Sequence, residues 1–165
     1  MRHAQAEQHA SSDHARSLSE RGRRDARAAG ALLAERGDVP ALVLVSTAQR
    51  ARDTWEALRG GLQTGTADGP DPWFDRALYD SGPRAVVELL GAVEASVRSV
   101  LVVGHNPTIS MVAAALSDGD GDPVLEQAAA DGLATAALAC FDVPVDWEAV
   151  NARRLRLTHV DVPRG

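Results

Sequence analysis

SVLVVGHNP, Ser99–Pro107, opens on an apolar run rich in β-branched residues and stops abruptly at a glycine. A short continuous apolar run reads as a strand buried on both faces of a parallel sheet, since a half-exposed strand would alternate with polar residues. Pro107 then suits the start of a helix, predicted over Pro107–Leu116. The same format recurs upstream. ALVLV (Ala41–Val45) is a second such strand, and the helical stretch Gln49–Leu58 follows it. Further out, Ser19 can cap a helix running to about Arg36, with Ala26, Ala29, Leu32 and Leu33 at helical spacing and Gly37 as its stop. WFDRALY (Trp73–Tyr79) reads as a weaker strand, and Pro83 opens a helix through Val93. Gly60–Pro72 is a loop, DGDGDP (Asp118–Pro123) a turn-rich break, and Leu133–Phe141 and Arg154–Val160 two more strands. Strands alternating with helices predict an α/β fold: a three-layer α/β/α sandwich with a mostly parallel sheet, one domain over residues 1–165.

Composition narrows the chemistry. The chain has 165 residues, 45% hydrophobic and 24% charged, which suits one globular domain with its own core. Its single cysteine, Cys140, lies in the apolar run Ala136–Phe141 and excludes an internal disulfide framework; it reads as a small buried hydrophobe. Trp73 and Trp147 read as packing residues. The formal charge of -6 argues against general affinity for nucleic acid or membranes. All 17 basic residues are arginine, so no P-loop lysine or Schiff-base lysine exists, and any anion site must use guanidinium forks, histidine or backbone N–H groups. The polar N-terminus, MRHAQAEQHASSDH, lacks the apolar stretch of a signal peptide, and no apolar run is long enough to span a membrane, so a cytoplasmic location is expected.

Three segments place cationic or imidazole residues at a strand end, where ligands gather in open parallel sheets. They are Arg2-His3-Ala4, the stretch Ser46–Thr54 with Arg50, and Gly104-His105-Asn106-Pro107. Parallel neighbouring strands would bring Arg2, His3, Arg50 and His105 to one edge as a pocket for a dianion. Helix starts at Gln49 and Pro107 would add N–H donors. Each motif alone is weak; their order at three strand ends gives the pattern its weight. His9 and His14 match no familiar metal-ligand spacing with His3, so no metal is predicted. Ser46 and Thr54 are expected to organise the strand-to-helix turn.

Together with RSLSERG (Arg16–Gly22), these segments resemble the histidine phosphatase superfamily, above all its small SixA-type phosphohistidine phosphatases. The likeness is specific from Met1 to about Leu116 and looser beyond. It implies that His3 is the nucleophile, that Arg2, Arg16 and Arg50 bind phosphate, and that His105 is the second active-site histidine. It also implies a central strand ahead of the Arg-His pair. The chain begins where that strand should end, so the strand is expected to be truncated, with a mis-assigned start codon as the explanation. The implied chemistry is in-line attack by a neutral imidazole, a phosphohistidine enzyme intermediate and its hydrolysis. Guanidinium forks and a protonated His105 would hold the charge, with no cofactor. An alkoxide leaving group needs a carboxylic acid, whereas imidazole, with a conjugate-acid pKa of about 6.5, does not. Asp75, Asp80 and Glu88 are the candidate acids, Asp80 the best placed. The expected substrate is a phosphohistidine-bearing protein. The alternatives are a small phosphomonoester hydrolysed with Asp80 as acid, or a non-catalytic module that binds phosphate or phosphoprotein.

Overall fold

A computed structural model describes residues 1–62, 70–150 and 155–165. Most of the expected Gly60–Pro72 loop and the first residue of the Arg154–Val160 strand lie outside them. In chain order the elements are α1 (Glu20–Arg36), β1 (Leu42–Ser46), α2 (Gln49–Leu62), β2 (Trp73–Asp75), α3 (Ala77–Asp80), α4 (Pro83–Gly91), β3 (Val100–Val103), α5 (Thr108–Leu116), α6 (Pro123–Ala130), β4 (Leu138–Asp142) and β5 (Arg156–Asp161). Ser19 caps α1 by accepting the Gly22 N–H, and Gly37 ends it in the left-handed conformation at φ 75°.

The sheet runs β2-β1-β3 with all pairs parallel, while β4 and β5 form an antiparallel pair beside it. Strand alternation assigns the layers. Val43, Val45, Leu101 and Val103 pack with Ala29 and Leu33 of α1 and Trp55 and Leu58 of α2. Leu44 packs on the other face with Leu78, Val86, Leu90, Val112 and Leu116 from α3, α4 and α5. This is the expected α/β/α sandwich. Helices α1 and α2 approach closely because Gly30 lies against the Leu58 carbonyl and Gly61 against that of Arg27.

Met1–His3 take up the end of the strand position beside β3. The Met1 carbonyl accepts from Gly104 N (3.1 Å), and His3 N donates to Gly104 O (2.9 Å). On the other side Arg2 N donates to Ala137 O (3.1 Å), and Ala136 N to His3 O (3.2 Å). These three residues therefore join the parallel sheet to the segment that leads into β4. The Met1 amine donates to Val102 O at 2.8 Å, and burial pushes its pKa down to about 6. Beyond it, Val100–Val102 and Leu138–Cys140 line a cavity of about 630 Å3.

Three local expectations change. WFDRALY divides after Asp75, whose carboxylate accepts the Ala77 N–H (2.7 Å) and starts α3 in place of further strand. The division buries Leu78 and leaves Trp73, expected to be a packing residue, 65% exposed. The strand expected from Leu133 starts at Leu138, because Gly132 and Ala136 take positive φ and turn the chain first. Helix α6 follows the DGDGDP break, where Asp122 accepts the Val124 N–H and Pro123 sits at the first helical position.

Candidate active site

Each strand end delivers one part of the site. His3 closes the Met1–His3 strand segment, and its neighbour Ala4 donates its N–H to Thr54 Oγ1 (3.0 Å). That hydroxyl in turn donates to the Arg50 carbonyl (2.6 Å), so Thr54 fastens the His3 turn to the first turn of α2. His105 follows β3, and its ring lies 4.9 Å from that of His3, centroid to centroid. Arg50, 7% exposed, donates through Nε to His3 Nε2 at 3.3 Å. The expected convergence of His3, His105 and Arg50 is present.

The hydrogen bonds of His3 define its tautomer. Nδ1 lies 2.7 Å from the Ala4 carbonyl, which can only accept, so Nδ1 carries the proton and Nε2 keeps its lone pair. Burial is the main cause pulling the His3 pKa down to about 4, and the Arg50, Arg2 and Arg16 charges add to it. The imidazole is neutral at pH 7. His105 is lowered further, to about 3, by burial, then by His3 and Arg50. The expectation of a protonated His105 therefore does not hold for the site as it stands; a dianion brought alongside would raise its pKa.

His105 Nε2 meets Ser46 Oγ at 2.8 Å, and Ser46 Oγ also accepts the Ala48 N–H. Ser46 therefore organises the turn as expected and orients the second histidine as well. His105 Nδ1 and Arg2 Nε are buried without a hydrogen-bond partner. Arg2 Nη1 donates to the Leu133 carbonyl (2.9 Å), as does Asn106 Nδ2 (2.9 Å), so the 131–137 segment walls that side.

The polar N-terminal loop folds back over α2. Gln49 N donates to the His14 carbonyl (2.9 Å), and His14 Nε2 lies 3.0 Å from Thr47 Oγ1. Arg16 stands close enough for its charge to depress His3, but its guanidinium donates to Glu7 O (2.7 Å) and Asp13 Oδ1 (3.0 Å). Asp13 and Tyr79 were not singled out as site residues by sequence. Asp13 accepts from Arg50, Arg16 and the Tyr79 hydroxyl (3.1 Å), while Tyr79 stands edge-on to His14 and His105. The one sequence signal for Asp13 is its spacing of three residues before Arg16.

The candidate acids are each engaged with other partners. Asp80 is bonded to Arg76 (2.9 Å), Glu88 to Arg84 (2.7 Å), and Asp75 to the Ala77 N–H. Among the described residues no three of His, Cys, Asp or Glu are grouped to hold a metal ion, and no helix is long and apolar enough to cross a membrane.

Residues 1–71 match the histidine phosphatase superfamily (branch 1). A Mycobacterium tuberculosis protein of unassigned function is 36% identical over 99% of this chain and 100% of its own length. The structure assigned as SixA from Nakamurella multipartitia aligns over 99% of this chain and 93% of its own, with 32% identity and a TM-score of 0.80. The chain belongs to the histidine phosphatase superfamily, in its SixA-type branch. A second solved relative, the protein histidine phosphatase SixA complexed with tungstate, covers 99% of this chain and 94% of its own at 26% identity, TM-score 0.77. The activity that goes with this membership is that of a phosphatase. In this histidine phosphatase, then, two imidazoles and the Arg50 fork meet at the carboxyl ends of neighbouring strand positions.

Proposed function

We propose that the protein hydrolyses phosphohistidine carried on another protein, through a covalent phosphoryl intermediate on His3. The observation that carries this reading is the His3 tautomer. Its Nδ1–H is committed to the Ala4 carbonyl, which leaves Nε2 unprotonated, its lone pair accepting a long hydrogen bond from Arg50 Nε (3.3 Å). A neutral imidazole so oriented is a nucleophile without a general base. Its Nε2 attacks phosphorus in line, and the N–P bond of the substrate breaks with its electron pair going to the leaving imidazole, which departs neutral because its other ring nitrogen already carries a proton. Water then attacks the same phosphorus, the Nε2–P bond breaks, and inorganic phosphate leaves with His3 restored.

Arg50 supplies a planar fork for the equatorial oxygens, and the unpartnered Arg2 Nε and His105 Nδ1 are buried groups that an oxyanion satisfies. The tungstate held by the SixA relative is a tetrahedral oxyanion, which fits the same assignment. These groups carry the charge, so chelators are expected to leave the rate unchanged.

The substrate class follows from acidity. Asp80 is held by Arg76 at the exposed end of α3. Asp13, the carboxylate that touches Arg50, has its pKa lowered to about 2, with the Arg16 hydrogen bond the largest cause and Arg50 and Tyr79 adding to it. A group that acidic is ionised and cannot protonate an alkoxide. An imidazole leaving group requires no such acid.

Rapid acid-free quenching with labelled phosphohistidine peptide should trap one alkali-stable, acid-labile phosphoryl group on the wild type and none on His3→Ala. Asp80→Asn should retain activity on the peptide. Turnover by His3→Ala at the wild-type rate would overturn the assignment, as would a strong preference for phosphomonoesters that disappears in Asp80→Asn.

A further inference from the structure

The Asp13 carboxylate is held as an anionic substrate would be held. Its Oδ2 takes an N–H from Arg50 Nη2 (3.0 Å) and the Tyr79 hydroxyl (3.1 Å), and its Oδ1 takes Arg16 Nη1 (3.0 Å). Arg50 Nη1 donates to the Asp13 main-chain carbonyl (2.7 Å), and Arg50 Nε to His3 Nε2. Each of the three Arg50 guanidinium nitrogens therefore already donates to a group of the chain itself, the nucleophile among them. The two partners differ in exposure: the Arg50 side chain is 8% exposed, that of Asp13 54%. The cation is fixed in the protein, and the anion sits on an open loop that can leave it.

We infer that Asp13 is an internal surrogate for the phosphoryl group, a competing anion that substrate displaces from Arg50 and Arg16. This deepens the function proposed above and rests on its assignment of Arg50 as the phosphoryl clamp. Arg50 gives one N–H to the Asp13 carboxylate and one to the main-chain carbonyl of the same residue, so a phosphoryl group that takes this edge of the guanidinium must displace Asp13. A doubly charged phosphoryl group offers more charge and more acceptor oxygens than a carboxylate, and so displaces it. Water or a stray monoanion has no such advantage. Asp13 thus sets a threshold of charge for entry, and the displaced loop, with His14 leaving Thr47, widens the mouth towards a protein-borne substrate.

The probe is inorganic phosphate, titrated calorimetrically into the wild type, Asp13→Asn and Asp13→Ala, with thermal melts confirming that each is folded. With the competing charge removed, phosphate should bind roughly ten-fold more tightly to both variants. Equal or weaker binding would overturn the inference and make Asp13 a brace that positions Arg50. A second measurement on the wild type guards against a variant that fails to fold. The Asp13 side-chain carboxyl 13C resonance should shift as phosphate saturates the site, and a resonance that stays put would also overturn the inference. Failure of the proposed function looks different: phosphate binding responds to Asp13 as described, yet no phosphoryl group is trapped on His3.

Discussion

Replacing Arg50 with methionine keeps most of the side-chain volume and removes every donor from the fork. Four contacts go: Nε to His3, Nη1 to the Asp13 carbonyl, Nη2 to the Asp13 carboxylate, and the contact of the guanidinium with the Tyr79 ring at 5.8 Å. Stability should change little. The charge is removed together with its desolvation cost, and the half-exposed Asp13 returns to water, so no buried charge is left uncompensated, which is the circumstance that makes breaking a pair costly. Catalysis should change much more. A single preorganised donor at a developing oxyanion contributes about 2.7–4 kcal/mol, or 10²–10³ in rate, and Arg50 offers such a donor with full charge. We therefore expect kcat/KM on a phosphohistidine peptide to fall about 10³-fold. The same substitution removes one of the charges that depress His3, so its titration midpoint should rise from about 4, as followed by imidazole NMR. In the Arg50→Met background, Asp13→Asn should no longer tighten phosphate binding, because the fork they share is gone. A loss below ten-fold with an unmoved His3 midpoint would refute the placement of Arg50 at the reacting phosphoryl group.

Two further outcomes concern stability. The Met1 amine, His3 and His105 are bases whose folded-state pKa values lie below the ordinary ones, at about 6, 4 and 3. The unfolded chain therefore binds more protons, and their contribution is full above about pH 8 and is lost as pH falls through the folded values. Melting temperature should decline from pH 8 towards pH 4; a flat or rising profile would contradict the burial of these groups. Gly30→Ala would drive a Cβ into the Leu58 carbonyl between α1 and α2, and overpacking of that kind costs about 1–3 kcal/mol in urea unfolding. A loss within 0.5 kcal/mol of zero, the rough range of neutral surface changes, would show that the helices separate easily.

The parts legible in the sequence were those with strong local signals. SVLVV and ALVLV read as buried strands, and the residues after each then stand at the sheet's carboxyl edge, which brings Arg50 and His105 together; the place of His3 beside them came from the family resemblance. Ser19 and Gly37 fixed α1 at both ends through cap chemistry. The misread stretches were decided by single hydrogen bonds. Asp75 ends β2 by taking the Ala77 N–H, and Asp122 starts α6 from within a segment whose composition reads as a turn. Asp13 was missed for a different reason. A carboxylate in a polar loop looks solvated until the fold returns that loop to the start of α2, some 37 residues away in sequence.

That return path bears on how an acidic protein keeps a cationic pocket usable. With a formal charge of -6, the chain has ample carboxylate to quench unpaired arginines, and many of its guanidiniums sit in ion pairs: Arg76 with Asp80, Arg84 with Glu88, Arg36 with Asp161. Those three pairs hold carboxylates on helices or strands, at fixed places in the fold. Arg50 and Arg16 share theirs with one residue on an exposed loop, and Arg2 Nε has none. Rigid pairing would have neutralised the site permanently, and no pairing would have left a nine-tenths-buried guanidinium to be desolvated alone, which costs several kcal/mol. A detachable carboxylate meets both constraints, because it satisfies Arg50 while the site waits and gives way to an anion of higher charge. The aspartate that sequence reading passed over is thus what allows the arginine it recognised to be both buried and available.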